Sequence, residues 1–163
     1  LDASVLVLPG DGAFGATMRR LAPHAKALAR RVAERPTLGI CIGMQVLFSG
    51  SDEAPGVAGL GALPEKVERL PAPRLPHMGW NTLTHEGGDL FVGVPEGAYV
   101  YFVHSYAALD CERATAWSEH GAYFAAAVAL GPASHAVQFH PEKSGRRGLD
   151  VLDNFLAIAE QAA

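Results

Sequence analysis

The stretch that decides the fold reads PTLGICIGMQ and spans residues 36–45. Thr37 to Ile40 is a short apolar run typical of a buried strand, and apolar residues return at helical spacing from Gly43. Between them, Cys41 lies in the G-x-nucleophile-x-G pattern of a sharp strand-to-helix turn. In α/β folds such a turn lies at the carboxyl edge of the sheet, where functional sites are placed. The stretch therefore predicts an α/β fold with a cysteine nucleophile.

The turn also predicts an activated thiol at Cys41. A helix N-terminus carries partial positive charge, which favours a thiolate and lowers the thiol pKa from about 8.5. The alternative is a buried small hydrophobic residue that happens to lie between glycines. The second cysteine, Cys111, sits in a polar stretch without such a turn, and we expect it to be an incidental surface or loop thiol.

The elements around this stretch favour a parallel sheet covered on both faces. Ser4 to Leu8 predicts a strand closed by a Pro-Gly turn, and Leu21 to Val32 predicts an amphipathic helix that stops before Pro36. After the strand at 37–40, helical spacing continues until Gly50. Strand, helix, strand and helix in this order indicate a three-layer, mostly parallel sheet flanked by helices.

The second half of the chain changes character. Its short β-rich runs are separated by Gly and Pro and predict an additional, antiparallel portion, at Lys66–Arg69, Asn81–Thr84, Tyr99–Val103 and Tyr123–Val128. Ser134 to His140 predicts the last strand, and Leu149 to Ala159 a closing helix. No repeat or linker interrupts the sequence, so we expect residues 1–163 to form one domain.

Composition narrows the class of protein. The chain has 163 residues, 49% hydrophobic and 18% charged, with a formal net charge of -4, which is typical of a globular domain. It contains no apolar run long enough to cross a membrane. Its modest basic cluster alternates with apolar positions and predicts the solvated face of a helix rather than a nucleic-acid site (Arg19, Arg20, Lys26, Arg30, Arg31 and Arg35). Two cysteines favour a reducing, cytoplasmic setting over a disulfide scaffold.

A cysteine nucleophile needs a base, and the base needs an orienting group. Of the seven histidines, His140 has the suitable context, because Pro141 favours extended geometry before it and Glu142 can then project to the same side. His77 and His104 lie among apolar and aromatic residues and are equally well explained as packing positions. The tripeptide HPE by itself is a weak indication of a catalytic site, and it becomes a strong one in combination with the cysteine turn.

The residues now point to a family. PTLGICIGMQ (36–45) and HPE (140–142) resemble the class I glutamine amidotransferases. Four further strings are similar to the branch that serves imidazole glycerol phosphate synthases: PGDGAFG (9–15), PHMGWN (76–81), YFVHSY (101–106) and FHPEKSG (139–145). The resemblance covers essentially the whole chain.

The resemblance implies a reaction and the residues that perform it. Cys41 would attack the side-chain amide of glutamine, with His140 and Glu142 as its partners, and no cofactor or metal would take part. The oxyanion would be bound by backbone N–H groups of Ile42 and of the turn Gly10-Asp11-Gly12. The glutamine pocket would be lined by Gly43, Gln45, Glu53, Ser105 and Tyr106. For Glu53, a solvent-facing loop acid is the alternative.

The resemblance also implies a partner. Ammonia would pass to a separate (β/α)8-barrel synthase subunit, which forms imidazole glycerol phosphate in histidine biosynthesis. The residues that match positions near that interface are Met78, Trp80, Asn81, Tyr101 and Lys143. An exposed aromatic residue with a nearby lysine suits an interface anchor, although Trp80 and Tyr101 could equally be core residues.

Two departures from the family pattern produce expectations of their own. The chain opens on its first strand without an initiator methionine, and we expect an N-terminal βα unit with a Y-G-x-G-N-like turn to be missing. The oxyanion turn reads PGDG where the family suggests PGVG, which places Asp11 close to the developing negative charge. Three rival functions remain: a sister amidotransferase, a non-catalytic binding subunit and a thiol peptidase.

Overall fold

A computed structural model describes residues 1–162 of the chain. Within them the chain forms ten strands and four α-helices. In chain order these are β1 (Leu6–Leu8), α1 (Phe14–Leu21), α2 (Ala25–Glu34), β2 (Thr37–Ile40), α3 (Ile42–Gln45), β3 (Glu68–Arg69), β4 (His77–Thr82), β5 (Thr84–His85), β6 (Tyr99–His104), β7 (Tyr106–Ala107), β8 (Ala114–Glu119), β9 (Tyr123–Ala129), β10 (Ser134–Val137) and α4 (Gly145–Gln161). Short 3₁₀ turns occupy Ala22–His24, Asp89–Phe91 and Pro141–Lys143.

The main sheet has six strands in the order β1-β2-β10-β9-β8-β5. Strands β1, β2 and β10 are parallel, whereas β9, β8 and β5 continue the sheet by antiparallel pairing. Two antiparallel ribbons, β3 with β7 and β4 with β6, complete the β-structure. The α/β class and the antiparallel portion are thereby confirmed, in a sheet that is mixed. Because β2 and β10 are parallel neighbours, their carboxyl ends meet at one edge.

Helices cover both faces of this sheet. One apolar cluster packs Phe14 of α1, Val32 of α2 and Met44 of α3 against the sheet, and the other packs Phe155 of α4 with sheet residues such as Leu38 and Val137. This makes the three layers that the element order predicts. Within residues 1–162, none of the helices combines the length and the apolar character needed to cross a membrane.

Several predicted boundaries differ from the structure. The first strand begins at Leu6 rather than Ser4, because the guanidinium of Arg31 binds the carbonyls of Leu1 and Ser4 and takes that segment out of the ladder. Arg31 is therefore buried, and its prediction as part of a solvated face is wrong. The predicted helix over residues 21–32 is divided at Pro23, which lies in a 3₁₀ turn between α1 and α2 and has no N–H to continue a helix.

The two elements that flank the candidate site are shorter than predicted. Helix α3 ends at Gln45 rather than near Gly50, because the chain folds back and Leu60 N–H donates to the carbonyl of Val46. Strand β10 ends at Val137 rather than His140, since the His140 N–H leaves the sheet and donates to Tyr101 O instead.

Candidate active site

Cys41 occupies the turn between β2 and α3 in a strained conformation. Its φ of 53° and ψ of -109° make it the one non-glycine residue with positive φ in the described part of the chain, and such a conformation costs about 1–3 kcal/mol. The turn is fixed from both sides: the Cys41 N–H donates to Val137 O at 2.8 Å, and Cys41 O accepts from the N–H groups of Met44 and Gln45.

The turn leaves no room for side chains at its glycines. A Cβ at Gly43 would lie 1.9 Å from Leu8 O, and one at Gly39 would lie 2.7 Å from the carbonyl oxygen of Gly43. Both distances are far below van der Waals contact, so α3 approaches β1 and β2 as closely as backbone atoms allow. The glycine pattern is thus a packing requirement of the turn.

The segment after β1 lies directly against this turn. A Cβ at Gly10 would be 2.6 Å from the backbone nitrogen of Ile42, so Gly10 is in backbone contact with the residue after the nucleophile. Gly12 has a φ of 126°, a conformation that favours glycine. Between them, the Asp11 side chain is exposed, and its charge acts on the Cys41 thiol. The structure therefore brings the predicted oxyanion segments together.

The thiol of Cys41 is buried and hydrogen-bonded. It donates to Val103 O at 3.8 Å, and it accepts from the side-chain amide of Gln138 at 3.6 Å. Burial raises the pKa of Cys41 to about 11, and the charge of Asp11 acts in the same direction, whereas the Ile42 N–H opposes both. The expectation of a thiolate is wrong for this state, because the loss of solvation outweighs the one turn of helix that follows.

His140 and Glu142 form a short hydrogen bond. The Nδ1 atom of His140 lies 2.7 Å from Oε1 of Glu142, with the imidazole buried and the carboxylate half-exposed. Since a carboxylate accepts, Nδ1 of His140 carries a proton, so Nε2 is the ring nitrogen that holds the lone pair in the neutral imidazole. Nε2 is buried, and no hydrogen-bond partner for it exists within residues 1–162. The predicted base and its predicted orienting group are hydrogen-bonded to each other, while the Cys41 thiol is hydrogen-bonded to Val103 and Gln138.

The turn that carries the base is tied to β6. The His140 N–H donates to Tyr101 O at 2.9 Å, and the Tyr101 N–H donates to Oγ of Ser144 at 2.9 Å. The Ser144 hydroxyl in turn donates to His140 O at 2.6 Å. A cavity of about 490 Å³ opens beside the base and is lined by Pro9, Gly10, Asp11, Ile40, His140, Glu142 and Leu152.

The residues predicted for the glutamine pocket have mixed surroundings. The Gln45 amide donates to Tyr106 O at 2.9 Å and to Oε1 of Gln138 at 3.0 Å, so only its oxygen remains for a ligand. Glu53 accepts from the N–H of Phe14 at 2.7 Å, which stabilises the start of α1 and makes it more than a solvent-facing acid. Ser105 and Tyr106 are half-buried where β6 passes into β7.

The residues predicted for a partner interface lie on the β4–β6 ribbon and beside the base. Met78 and Trp80 are 63% and 55% exposed, which excludes the alternative that Trp80 is a core residue. Tyr101 is half-buried and meets Trp80 edge to face, with ring centroids 6.0 Å apart. Lys143 is exposed next to Glu142. Asn81 differs, because its amide faces inward and contacts His77 and Glu119 O.

Sequence reasoning missed two sets of buried polar residues. Gln138 is fully buried against Cys41, and the signal was a lone amide in the apolar run AVQF (136–139). His77 and His104, treated as packing positions, are hydrogen-bonded to each other at 3.0 Å.

Cys111 is half-buried in a loop, and its pKa is likewise raised to about 11 by burial.

Comparison with known proteins settles the family. A profile described as glutamine amidotransferase class-I matches residues 2–159. The chain belongs to this family. Among curated class-I amidotransferases, it is 48% identical to the imidazole glycerol phosphate synthase subunit HisH of Moorella thermoacetica, over 96% of this chain and 78% of the relative. The subunit HisH of Thermococcus kodakarensis is 46% identical, over 94% and 82% of the two chains.

Solved structures agree on the amidotransferase fold. A crystal structure of a glutamine amidotransferase superposes with a TM-score of 0.64 at 20% identity, covering 96% of this chain and 79% of the other. A glutamine amidotransferase from Thermotoga maritima gives a TM-score of 0.59 at 19% identity, covering 98% and 65%. At these identities the comparison concerns the fold alone, and it confirms the class I amidotransferase-like architecture.

Proposed function

We propose that this chain is the glutamine-hydrolysing subunit of an imidazole glycerol phosphate synthase. The observation that carries the proposal is one cavity lined both by Ile40, which directly precedes Cys41, and by the hydrogen-bonded pair His140 and Glu142. The HisH subunits that the chain resembles over more than nine-tenths of its length support the choice of synthase. The free thiol suits a reducing compartment, and we place the subunit in the cytoplasm.

In the proposed reaction, Nε2 of His140 takes the thiol proton as Cys41 Sγ attacks the amide carbon of glutamine. The carbon–nitrogen bond then breaks, His140 returns the proton to the departing ammonia, and a thioester to Cys41 remains. His140 next takes a proton from water, the hydroxide attacks the thioester, and glutamate leaves as the proton returns to sulfur. Glu142 keeps the imidazole in one tautomer and stabilises its cation.

The oxyanion of each tetrahedral intermediate would be bound by the Ile42 N–H and by an N–H of the Gly10–Gly12 turn. Their backbone contact supports this pairing. One such donor typically contributes 100- to 1,000-fold in rate. A thiol with a pKa near 11 is almost wholly protonated at pH 7, so Cys41 would have to leave Val103 O and bond His140 before turnover.

The ammonia would pass to a (β/α)8-barrel partner seated on the ribbon. Met78 and Trp80 offer exposed apolar area, and Lys143 offers a positive charge, which together make an anchor with a polar rim. The edge of the Trp80 ring also lies close to Gly145, at the start of α4, so the proposed interface is continuous with the turn that carries His140.

The test is glutamate release from glutamine by the subunit, with and without a barrel synthase partner. Cys41→Ala should abolish release, and Cys111→Ala, the matched control, should retain it. Synthesis from ammonium salts by the complex should survive Cys41→Ala, because the partner consumes the ammonia. Turnover by Cys41→Ala, or loss of glutamate release in Cys111→Ala alone, would overturn the assignment of the nucleophile. Loss of ammonium-supported synthesis would show that this chain contributes to the synthase chemistry.

A further inference from the structure

We propose that Gln138 is a positioning residue that holds the Cys41 sulfur through a side-chain N–H, in an orientation imposed by Gln45. The inference rests on the proposed function and deepens it. It starts from geometry: Gln138 follows β10 and Cys41 follows β2, so the parallel pairing of the two strands places both residues at one edge. Gln138 is 0% exposed, and its Nε2 lies 3.6 Å from the sulfur.

The orientation of the Gln138 amide follows from its neighbour. Gln45 Nε2 has two protons; one is directed at Tyr106 O and the other at Oε1 of Gln138. A carbonyl can only accept, so Gln45 must present its nitrogen to Tyr106. Oε1 of Gln138 is consequently the atom that receives the second proton, and the Gln138 nitrogen is turned toward Cys41. If the Gln138 amide were reversed, its NH2 group would face the NH2 group of Gln45, and its oxygen would face the Cys41 sulfur.

The other groups around the Cys41 sulfur do little to stabilise a thiolate, which makes the Gln138 N–H important. On one side the thiol proton is directed at Val103 O, which offers nothing to a negative sulfur once that proton leaves. Among the charged groups of residues 1–162 that act on the thiol, Asp11 and Glu142 disfavour the thiolate and Lys143 favours it. The Gln138 N–H and the Ile42 N–H are neutral donors that remain in place for the charged form. A hydrogen bond to a charged group is stronger than one to a neutral group.

The experiment measures Cys41 alkylation in a Cys111→Ala background, which leaves one of the two cysteines. Gln138→Met removes the donor at similar volume, and Gln45→Met leaves Gln138 free to turn. Gln161→Met, at an exposed glutamine of α4, is the matched control. Each is treated near neutral pH with iodoacetamide and with the larger reagent N-ethylmaleimide, and each is assayed for glutaminase kcat and KM.

We expect Gln138→Met to slow both reagents equally, by about tenfold, which corresponds to about one pKa unit. Gln45→Met should slow them by roughly threefold, because the amide then samples both orientations. In Gln138→Met, glutaminase kcat should fall in parallel with alkylation while KM changes little. Alkylation of Gln138→Met within twofold of the parent rate, or unequal effects on the two reagents, would overturn the proposal.

The Gln45→Met variant tests the proposal independently of Gln138→Met. If Gln138→Met does not fold, Gln45→Met carries the test, and an unchanged alkylation rate there overturns the proposal. A Gln45→Met variant that loses turnover while Cys41 alkylates normally would assign Gln45 to glutamine binding alone and would likewise overturn it. Alkylation needs no turnover, so these outcomes are separate from failure of the proposed function, which shows as glutamate release by Cys41→Ala.

Discussion

The buried histidine pair makes the fold sensitive to acid. His104 donates from Nδ1 to Tyr106 O at 2.9 Å, so its Nε2 is a free acceptor, and His77 donates to it from Nδ1. Asn81 then donates to Nε2 of His77. Every proton position in this chain of bonds requires neutral imidazoles. Burial lowers the pKa of His77 to about 4 and that of His104 to about 3, from an ordinary 6.5.

The loss of stability in acid follows from the difference in proton binding between the unfolded and the folded chain. In the unfolded chain each imidazole binds a proton as the pH falls through 6.5, whereas the folded chain excludes it until about pH 4 for His77 and about pH 3 for His104. Stability is therefore complete above pH 6.5 and is lost as the pH falls below it. Each bound proton changes the free energy of unfolding by about 1.4 kcal/mol per pH unit, so going from pH 7 to pH 5 removes about 2 kcal/mol per ring. Together that is about 4 kcal/mol, out of roughly 5–15 for a typical domain.

The assay is urea unfolding between about pH 5 and pH 7. His104→Gln should lower the loss of stability over this interval by about 2 kcal/mol, and the double variant His77→Gln/His104→Gln by about twice that. The comparison uses only the change in unfolding free energy between about pH 5 and pH 7, so it does not depend on how much each substitution destabilises the protein at pH 7. His24→Gln, at an exposed histidine, is the control and should keep the wild-type slope. A double variant with the wild-type slope would refute the reasoning, because the protons would then bind elsewhere.

Three further perturbations test the site and its surroundings. Gly43→Ala should cost several kcal/mol of stability, seen in urea unfolding, because its Cβ would lie 1.9 Å from a backbone oxygen; a loss below about 1 kcal/mol would contradict that packing. Asp11→Asn should lower the pKa of Cys41 and speed its alkylation severalfold, since the charge of Asp11 raises that pKa; an unchanged rate would show that the exposed carboxylate is screened. Trp80→Ala should weaken binding of the proposed synthase partner by about tenfold or more in calorimetry, whereas Tyr123→Ala, also exposed, should not; equal affinities would place the interface elsewhere.

The sequence was most informative where backbone geometry decides the structure. The glycines beside Cys41 and the spacing of His140 and Glu142 are requirements of a tight turn and of an orienting hydrogen bond, and both occur where they were predicted. The α/β class followed from strand and helix periodicity, which depends on local residues alone. The ends of strands and helices were predicted less well, because contacts between distant segments determine them. The first strand, for example, begins late because Arg31 binds the segment before it.

Properties that depend on several buried groups could not be derived from the sequence. The raised pKa of Cys41 is the balance of burial against one N–H and several charges, and that balance is decided by distances. The donor role of Gln138 depends on Gln45, which lies 93 positions away in the sequence. The apolar run around Gln138 indicates that the amide is buried, but no local feature indicates which group it contacts.

The backbone of Tyr101 has a consequence for how this chain could be inhibited. Its carbonyl and amide are both engaged by the turn that holds His140, while its ring lies with Trp80 near the exposed face of the ribbon. A small molecule that binds this outer face and displaces β6 would also displace the carbonyl that anchors the His140 backbone. Proton transfer depends on sub-ångström placement of the imidazole. A ligand of the outer surface could therefore inhibit the proposed reaction without competing with glutamine for its pocket.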